Sequence, residues 1–167
     1  MARLVGIDIG GTTTKIVGLN DGELFHPLVV KATDPLSSSF GALGRFVNET
    51  NLELGDIDKI MMTGVGASYM ADSMYGLPTE KVDEFLAIGL GGLHLANLER
   101  AIIVSMGTGT AFVLAEQGQA RHLGGTGVGG GTLLGLASRM LNMRDFYGIV
   151  DLAKDGDLRH VDLKVGD

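Results

Sequence analysis

The chain has 167 residues, 27 of them glycine against 3 proline, with 45% hydrophobic residues and no cysteine. The scarcity of proline excludes collagen, and the apolar content argues against disorder. Thirteen basic and 20 acidic residues leave a net charge of −7, a poor match for nucleic acid. Without cysteine, disulfides, thiolate metal sites and iron–sulfur clusters are excluded within this sequence.

In chain order, residues 3–9 and 13–19 read as strands on either side of Gly10-Gly11-Thr12. Asp21-Gly22 turns the chain into a third strand, 23–31, interrupted by Pro27. The opening is therefore an antiparallel meander. Its apolar start is too short for a signal peptide, and no run of apolar residues is long enough to span a membrane. The expectation is a soluble, cytoplasmic protein with no membrane or nucleic-acid partner. Thr33-Asp34-Pro35 reads as a helix start, a capping residue before a proline at the first helical position, with Leu36, Phe40, Leu43 and Val47 following at helical spacing.

Residues 57–62 form a short apolar strand closed by Thr63-Gly64-Val65-Gly66-Ala67, and a helix is expected from Lys81, with Val82, Leu86, Leu90 and Leu93 on one stripe. Gly89, Gly91 and Gly92 within it point to tight packing, because each costs about 1 kcal/mol against alanine in a helix. The pattern then restarts: strand 101–106, turn Gly107-Thr108-Gly109, strand 110–116, a turn at Gly118, strand 119–123. This second meander is read as an internal repeat. Helices are expected near 131–141 and 145–152, followed by the turn Asp155-Gly156 and a polar tail, residues 157–167. The second copy carries fewer elements than the first and reads as incomplete. The expected division is a lobe at 1–100 and an incomplete lobe at 101–167.

Four places could carry chemistry. Asp8 ends the first strand, and the turn Ile9-Gly10-Gly11-Thr12-Thr13-Thr14-Lys15 offers backbone N–H groups, hydroxyls and a point charge to a phosphate. Asp8 could also hold Mg²⁺ directly or through water. The bland alternative is a glycine hairpin with an incidental carboxylate. Ser105–Thr110 repeats the Gly/Thr turn and, paired with the first, suggests two hairpins clasping one nucleotide. Gly124–Leu133 packs six glycines into eight residues just before a helix, which suggests a backbone cradle for phosphate at the helix N-terminus; a flexible linker is the alternative. Asp83-Glu84 opens a helix, where acidic residues are common for electrostatic reasons alone, although a kinase acting on an alcohol benefits from such a carboxylate as proton acceptor. His26, His94, His122 and His160 lack metal-ligand spacing.

Together, Asp8–Lys15, Thr63–Ser68, Asp83–Phe85, Ser105–Ala111 and Gly124–Leu136 resemble, in order and spacing, the type II (eukaryotic-like) pantothenate kinases of the acetate and sugar kinase/Hsp70/actin superfamily. The resemblance implies an α/β, actin-like ATPase (ribonuclease H-like) fold with duplicated βββαβα lobes, the second apparently truncated. It implies ATP-dependent phosphorylation of pantothenate, the first step of coenzyme A biosynthesis, with ATP and Mg²⁺ as cofactors and a homodimer at full length. Carried over, Glu84 is the general base and Asp8 to Lys15 the first phosphate loop, with Asp8 the metal residue. Thr108 lies in the second loop, Gly130, Gly131, Thr132, Leu133 and Leu134 line the nucleotide, and Phe146 lies near the adenine. Thr108, Arg121 and His122 are the substrate residues. Ala111 stands where the family commonly has serine, and His122 where it has arginine, so another small hydroxylated metabolite is an alternative substrate. A non-catalytic protein that binds ATP or an acyl-CoA is a second alternative. An activator of an iron–sulfur dehydratase shares the fold but needs cysteines to hold its cluster.

Overall fold

The structure, a computed structural model, describes residues 2–32 and 34–161. The capping reading of Thr33 and the last part of the polar tail, from residue 162, lie outside the described residues. The chain forms two compact units. One is the chain through Val104 together with Phe112–Leu123; the other is Ser105–Ala111 together with the chain from Gly124.

The first unit begins with β1 (Arg3–Ile9), β2 (Thr13–Asn20) and β3 (Glu23–Lys31), as the apolar alternation predicts. β1 and β2 are antiparallel with Ile7 opposite Ile16 and Asp8 opposite Lys15. Val5, Ile7, Ile9 and Ile16 therefore share one face, and all are buried. α1 (Pro35–Thr50) covers that face with Ala42, Leu43 and Phe46, none of them exposed to solvent. Asp34 is the N-cap, its carboxylate accepting the Ser37 N–H at 2.7 Å, and Pro35 occupies the first turn, where its missing N–H costs nothing.

β4 (Lys59–Thr63) then pairs in parallel with β1, placing Thr63 beside Asp8. β5 (Ser73–Met74) and β6 (Leu77–Lys81) form a small hairpin, and β6 pairs in parallel with β4. The sheet order is β3-β2-β1-β4-β6-β5. α2 (Glu84–Ala96) follows, and β7 (Arg100–Met106), β8 (Thr110–Glu116) and β9 (Gln119–Thr126) form a three-stranded sheet in that order. α3 (Gly130–Met140) and α4 (Phe146–Lys154) are the second unit's α-helices among the described residues. No described helix is long and apolar enough to cross a membrane.

Four expectations shift. Pro27 does not interrupt β3: the β2–β3 register slips between Ile16 and Gly18, and His26 takes a positive φ of 49°, so the proline sits at a bulge where no ladder N–H is required. The helix expected from Lys81 starts at Glu84, because Lys81 pairs with Met62 in β6 and Asp83 supplies the cap, accepting the Leu86 N–H at 2.9 Å. The β5–β6 hairpin was not expected; its turn uses Tyr75 and Gly76, both at positive φ, and tyrosine carries no turn signal. β9 runs past residue 123 to Thr126 because Gly125 lies directly against the Thr110 carbonyl. The helix glycines behave largely as expected. A side chain at Gly89 would meet Ala115 and Ala120, and one at Gly92 would meet Ile103, whereas Gly91 faces open space.

Candidate active site

In the first unit the chemistry gathers where β1 and β4 end and β2 begins. Asp8 points away from the apolar face, as strand alternation requires. Its Oδ2 accepts from Lys15 Nζ at 2.7 Å, with both side chains partly exposed. The turn between them is tight, since the Gly10 N–H donates to the Thr13 carbonyl at 3.0 Å. Gly11 and Thr12 are exposed at its tip. Ile9 and Thr14 are different: they stand opposite each other in the ladder and both are fully buried. Their side chains belong to the core, and only their backbone faces the turn. Thr14 Oγ1 has no hydrogen-bond partner in this position. Period-two alternation with Ile16 already carried this signal.

The sequence marks Gly64 only as part of the turn that closes β4 and of a motif shared with the resembling family. This glycine adopts φ 87°, ψ 166°, a region open essentially to glycine alone. A Cβ there would lie 2.5 Å from Asp8 Oδ1 and 2.7 Å from the Ile9 carbonyl oxygen. Gly66 packs against the same carbonyl. The Thr63–Ala67 segment is thus the floor on which the Asp8 end of β1 rests, and the neighbouring Thr63 Oγ1 is buried without a partner.

Glu84 opens α2 within electrostatic reach of this group. Loss of surrounding water raises its carboxyl above the usual carboxylate range, and the charge of Asp8 raises it further; Lys15 opposes the shift and Asp83 adds a smaller push upward. Next to it, the Phe85 ring stacks on His122 of β9, with centroids 4.1 Å apart and planes 9° from parallel. Ala120 is on the same side of β9, against Gly89. Arg121 lies between these two residues and therefore points to the other face. His122 thus meets the start of α2 through Phe85, and Arg121 is on the opposite side of β9.

In the second unit the glycine stretch has a purpose that composition could not reveal. The Gly130 and Gly131 N–H groups donate to the carbonyls of Gly107 and Thr108, at 2.9 and 3.0 Å. A Cβ at Gly129 would sit 2.7 Å from the Thr108 oxygen, and one at Gly131 2.6 Å from the Thr108 methyl. Thr110 Oγ1 donates to the Val128 carbonyl, and Thr132 Oγ1 to that of Gly127. The glycines let the loop dock backbone to backbone on the second Gly/Thr turn. Of the N–H groups expected to form a phosphate cradle at the start of α3, two are bound within the protein. Thr108 stays exposed at the turn. Leu133 is partly exposed, and Leu134 follows it on α3. Phe146 starts α4, partly exposed, with its ring edge-on to Tyr147.

Comparison with solved structures defines the class. Component A of the (R)-2-hydroxyglutaryl-CoA dehydratase of Acidaminococcus fermentans superposes with a TM-score of 0.71 at 17% identity, covering 94% of this chain and 60% of that one. The activator of the 2-hydroxyisocaproyl-CoA dehydratase of Clostridium difficile, with bound ADPNP, gives 0.69 at 18% identity, covering 93% and 57%. The fold is that of the actin-like ATPases. Sequence narrows this: residues 96–167 match the Fumble family, and the chain is 30% identical to a type II pantothenate kinase of Staphylococcus epidermidis over 166 residues, 96% of this chain. The chain is thus similar to the type II pantothenate kinases along nearly its whole length, and it spans 58% of the length of that relative.

Proposed function

We propose that the protein phosphorylates the hydroxyl of pantothenate from ATP, the first step towards coenzyme A. The observation that carries this reading is the placement of Glu84, a carboxylate raised above its ordinary range, beside the Asp8–Lys15 pair. A raised carboxylate is the better base, and transfer to an alcohol needs a group that takes the hydroxyl proton. In the step, the acceptor oxygen bonds to the γ-phosphorus, the bond from that phosphorus to the ADP oxygen breaks, and Glu84 takes the proton. Lys15 and the exposed tip at Gly11 and Thr12 bind phosphate oxygens. The resemblance adds Thr108, Gly130–Leu134 and Phe146 of the second unit as nucleotide residues, although the Gly130 and Gly131 N–H groups are already bonded within the protein.

Among the described residues no three His, Cys, Asp or Glu side chains converge on a metal site. Asp8 suits a cation that arrives with the nucleotide: it is a hard oxygen donor, partly exposed, next to the unpartnered Thr63 hydroxyl. Magnesium is commonly held by one or two carboxylates plus substrate phosphates, and when bound there it would neutralise charge on the transferred group. The reading also includes a cytoplasmic location and a homodimer.

The test is ATP-dependent turnover of pantothenate. Glu84→Gln should lower kcat by about 100-fold or more while ATP binding is retained; undiminished turnover refutes the assignment. A second reading, a different hydroxylated acceptor, is favoured by His122 stacked on Phe85 beside Glu84. An imidazole offers one neutral or cationic contact where a guanidinium offers a permanently charged fork. A panel of hydroxylated acids and sugars separates the two readings.

A further inference from the structure

Among the described residues, two buried side-chain hydroxyls have no hydrogen-bond partner, those of Thr14 and Thr63. Their surroundings differ. Thr14 stands opposite Ile9, on the apolar face that α1 covers. Thr63 stands opposite Asp8 in the parallel β1–β4 ladder. Residues in register on neighbouring strands leave the same face, on backbones about 4.8 Å apart. A hydroxyl donor and a carboxylate are therefore neighbours, and no hydrogen bond joins them.

Asp8 is held from the other side. β1 lies between β2 and β4, and Asp8 is in register with Lys15 on the one and Thr63 on the other. Its Oδ2 accepts from Lys15 Nζ at 2.7 Å. Its Oδ1 is turned toward Gly64, where a Cβ would lie only 2.5 Å away. Lys15 thus sets the carboxylate from the β2 side, and the donor on the β4 side goes unused. Lys15 has one ammonium, which is also the group proposed to meet phosphate. When it turns to phosphate, Asp8 loses its ion pair beside incoming negative charge, and a partly buried carboxylate without a partner is costly.

We propose that Thr63 is the second partner of Asp8, a positioning residue whose hydroxyl takes the carboxylate when Lys15 leaves it. The movement required is small. One step between staggered χ1 wells, about 120°, redirects the hydroxyl, and the absent Cβ at Gly64 leaves the carboxylate room to turn. Bonded to Thr63, Asp8 keeps a fixed orientation, and the oxygen that Lys15 vacates faces a cation arriving with the nucleotide. The unpaired hydroxyl of the free protein is then a donor held in reserve. The trigger, phosphate drawing Lys15 away, rests on the proposed function; the exchange of partners is tested without any ligand.

The experiment is a double-mutant cycle on the ligand-free chain, read by urea unfolding. Lys15→Met withdraws the ammonium, and because the Lys15 side chain is 55% exposed the core is left intact. With Lys15 present, Thr63→Val should leave the folding equilibrium constant unchanged or raise it, since it deletes a buried hydroxyl that has no partner. With Lys15→Met, the same change should lower that constant by about tenfold or more, the worth of one hydrogen bond to a charged group. Thr63→Ser should restore it, and Asp8→Ala should abolish the difference between the two backgrounds. Three-bond NMR couplings should show the Thr63 χ1 in a different well once Lys15 is replaced. A Thr63→Val effect that is the same in both backgrounds overturns the proposal, as does a χ1 indifferent to Lys15. Coupling without pantothenate turnover would remove the kinase reading and keep the exchange. Turnover without coupling would do the reverse.

Discussion

Replacing Gly64 by alanine tests the idea that the Thr63–Ala67 segment is a rigid floor under Asp8. Two costs add. At φ 87°, ψ 166° any L-residue is strained, by about 1–3 kcal/mol. The new methyl also meets Asp8 Oδ1 at 2.5 Å and the Ile9 carbonyl at 2.7 Å. The carbonyl is ladder backbone and cannot swing aside, so overpacking adds about 1–3 kcal/mol. The expected loss is about 2–6 kcal/mol, a large share of the roughly 5–15 kcal/mol that holds a typical domain. Urea denaturation followed by circular dichroism, with exchange at the β1 amides as a local probe, measures it. Gly11→Ala is the control: nothing lies within 4 Å of its Cβ position, and the change should stay within about 0.5 kcal/mol. If Gly64→Ala unfolds as late as Gly11→Ala, the floor does not exist and Asp8 is positioned by other means.

Three further perturbations follow from single contacts. Thr14→Val should stabilise the protein by about 1 kcal/mol or more, because it removes a fully buried hydroxyl that has no partner at nearly constant volume; lower stability in a urea titration would mean that the hydroxyl is bonded. Phe46→Ala should cost about 3–5 kcal/mol, since this fully buried ring lies 5.7 Å from both Phe25 and His26; a loss under 1 kcal/mol would refute its place at the centre of the core. For Glu84, a raised folded-state pKa means that the protonated form is the favoured one. Its stabilising contribution is full below the ordinary value of 4.5 and is lost as pH rises through the raised value. Glu84→Gln should therefore be neutral near pH 4 and stabilising at pH 7–8, as measured by thermal unfolding across pH; the opposite trend would show that the carboxylate gains more from Lys15 than it loses by dehydration.

What the sequence made legible is what local chemistry decides. β1 to β3 follow from alternation, and the Asp34-Pro35 start of α1 from capping. Lys81 misled because its assignment to β6 depends on Met62, nineteen residues away and invisible to any local pattern. The site divides in the same way. Asp8, Lys15 and Glu84 were visible as residue types at element ends, and the fold brings them together. The inward turn of Thr14 was also available, from its parity with Ile16. The role of Gly64 was not, because it depends on the parallel pairing of β4 with β1, which places a distant glycine beneath Asp8.

One glycine arrangement is used twice. Each Gly/Thr turn follows a strand, and each rests on glycines from elsewhere in the chain. Gly64 and Gly66 support the Asp8–Ile9 end of β1, and Gly129 and Gly131 support Thr108 and Gly109. In both cases a bare Cα meets a backbone carbonyl at a distance that a methyl group would forbid. Such contacts hold a turn by shape rather than by flexible side chains, and a turn held that way loses little entropy when a ligand binds. The cost is that neither position tolerates alanine, and that in the second unit the donors of Gly130 and Gly131 are committed to holding the turn. The glycines at 64–66 and 129–131 therefore mark where backbone packs on backbone. The groups left exposed on the turns so held are Gly11, Thr12 and Lys15 on the first and Thr108 on the second, and these are the ones proposed to meet phosphate.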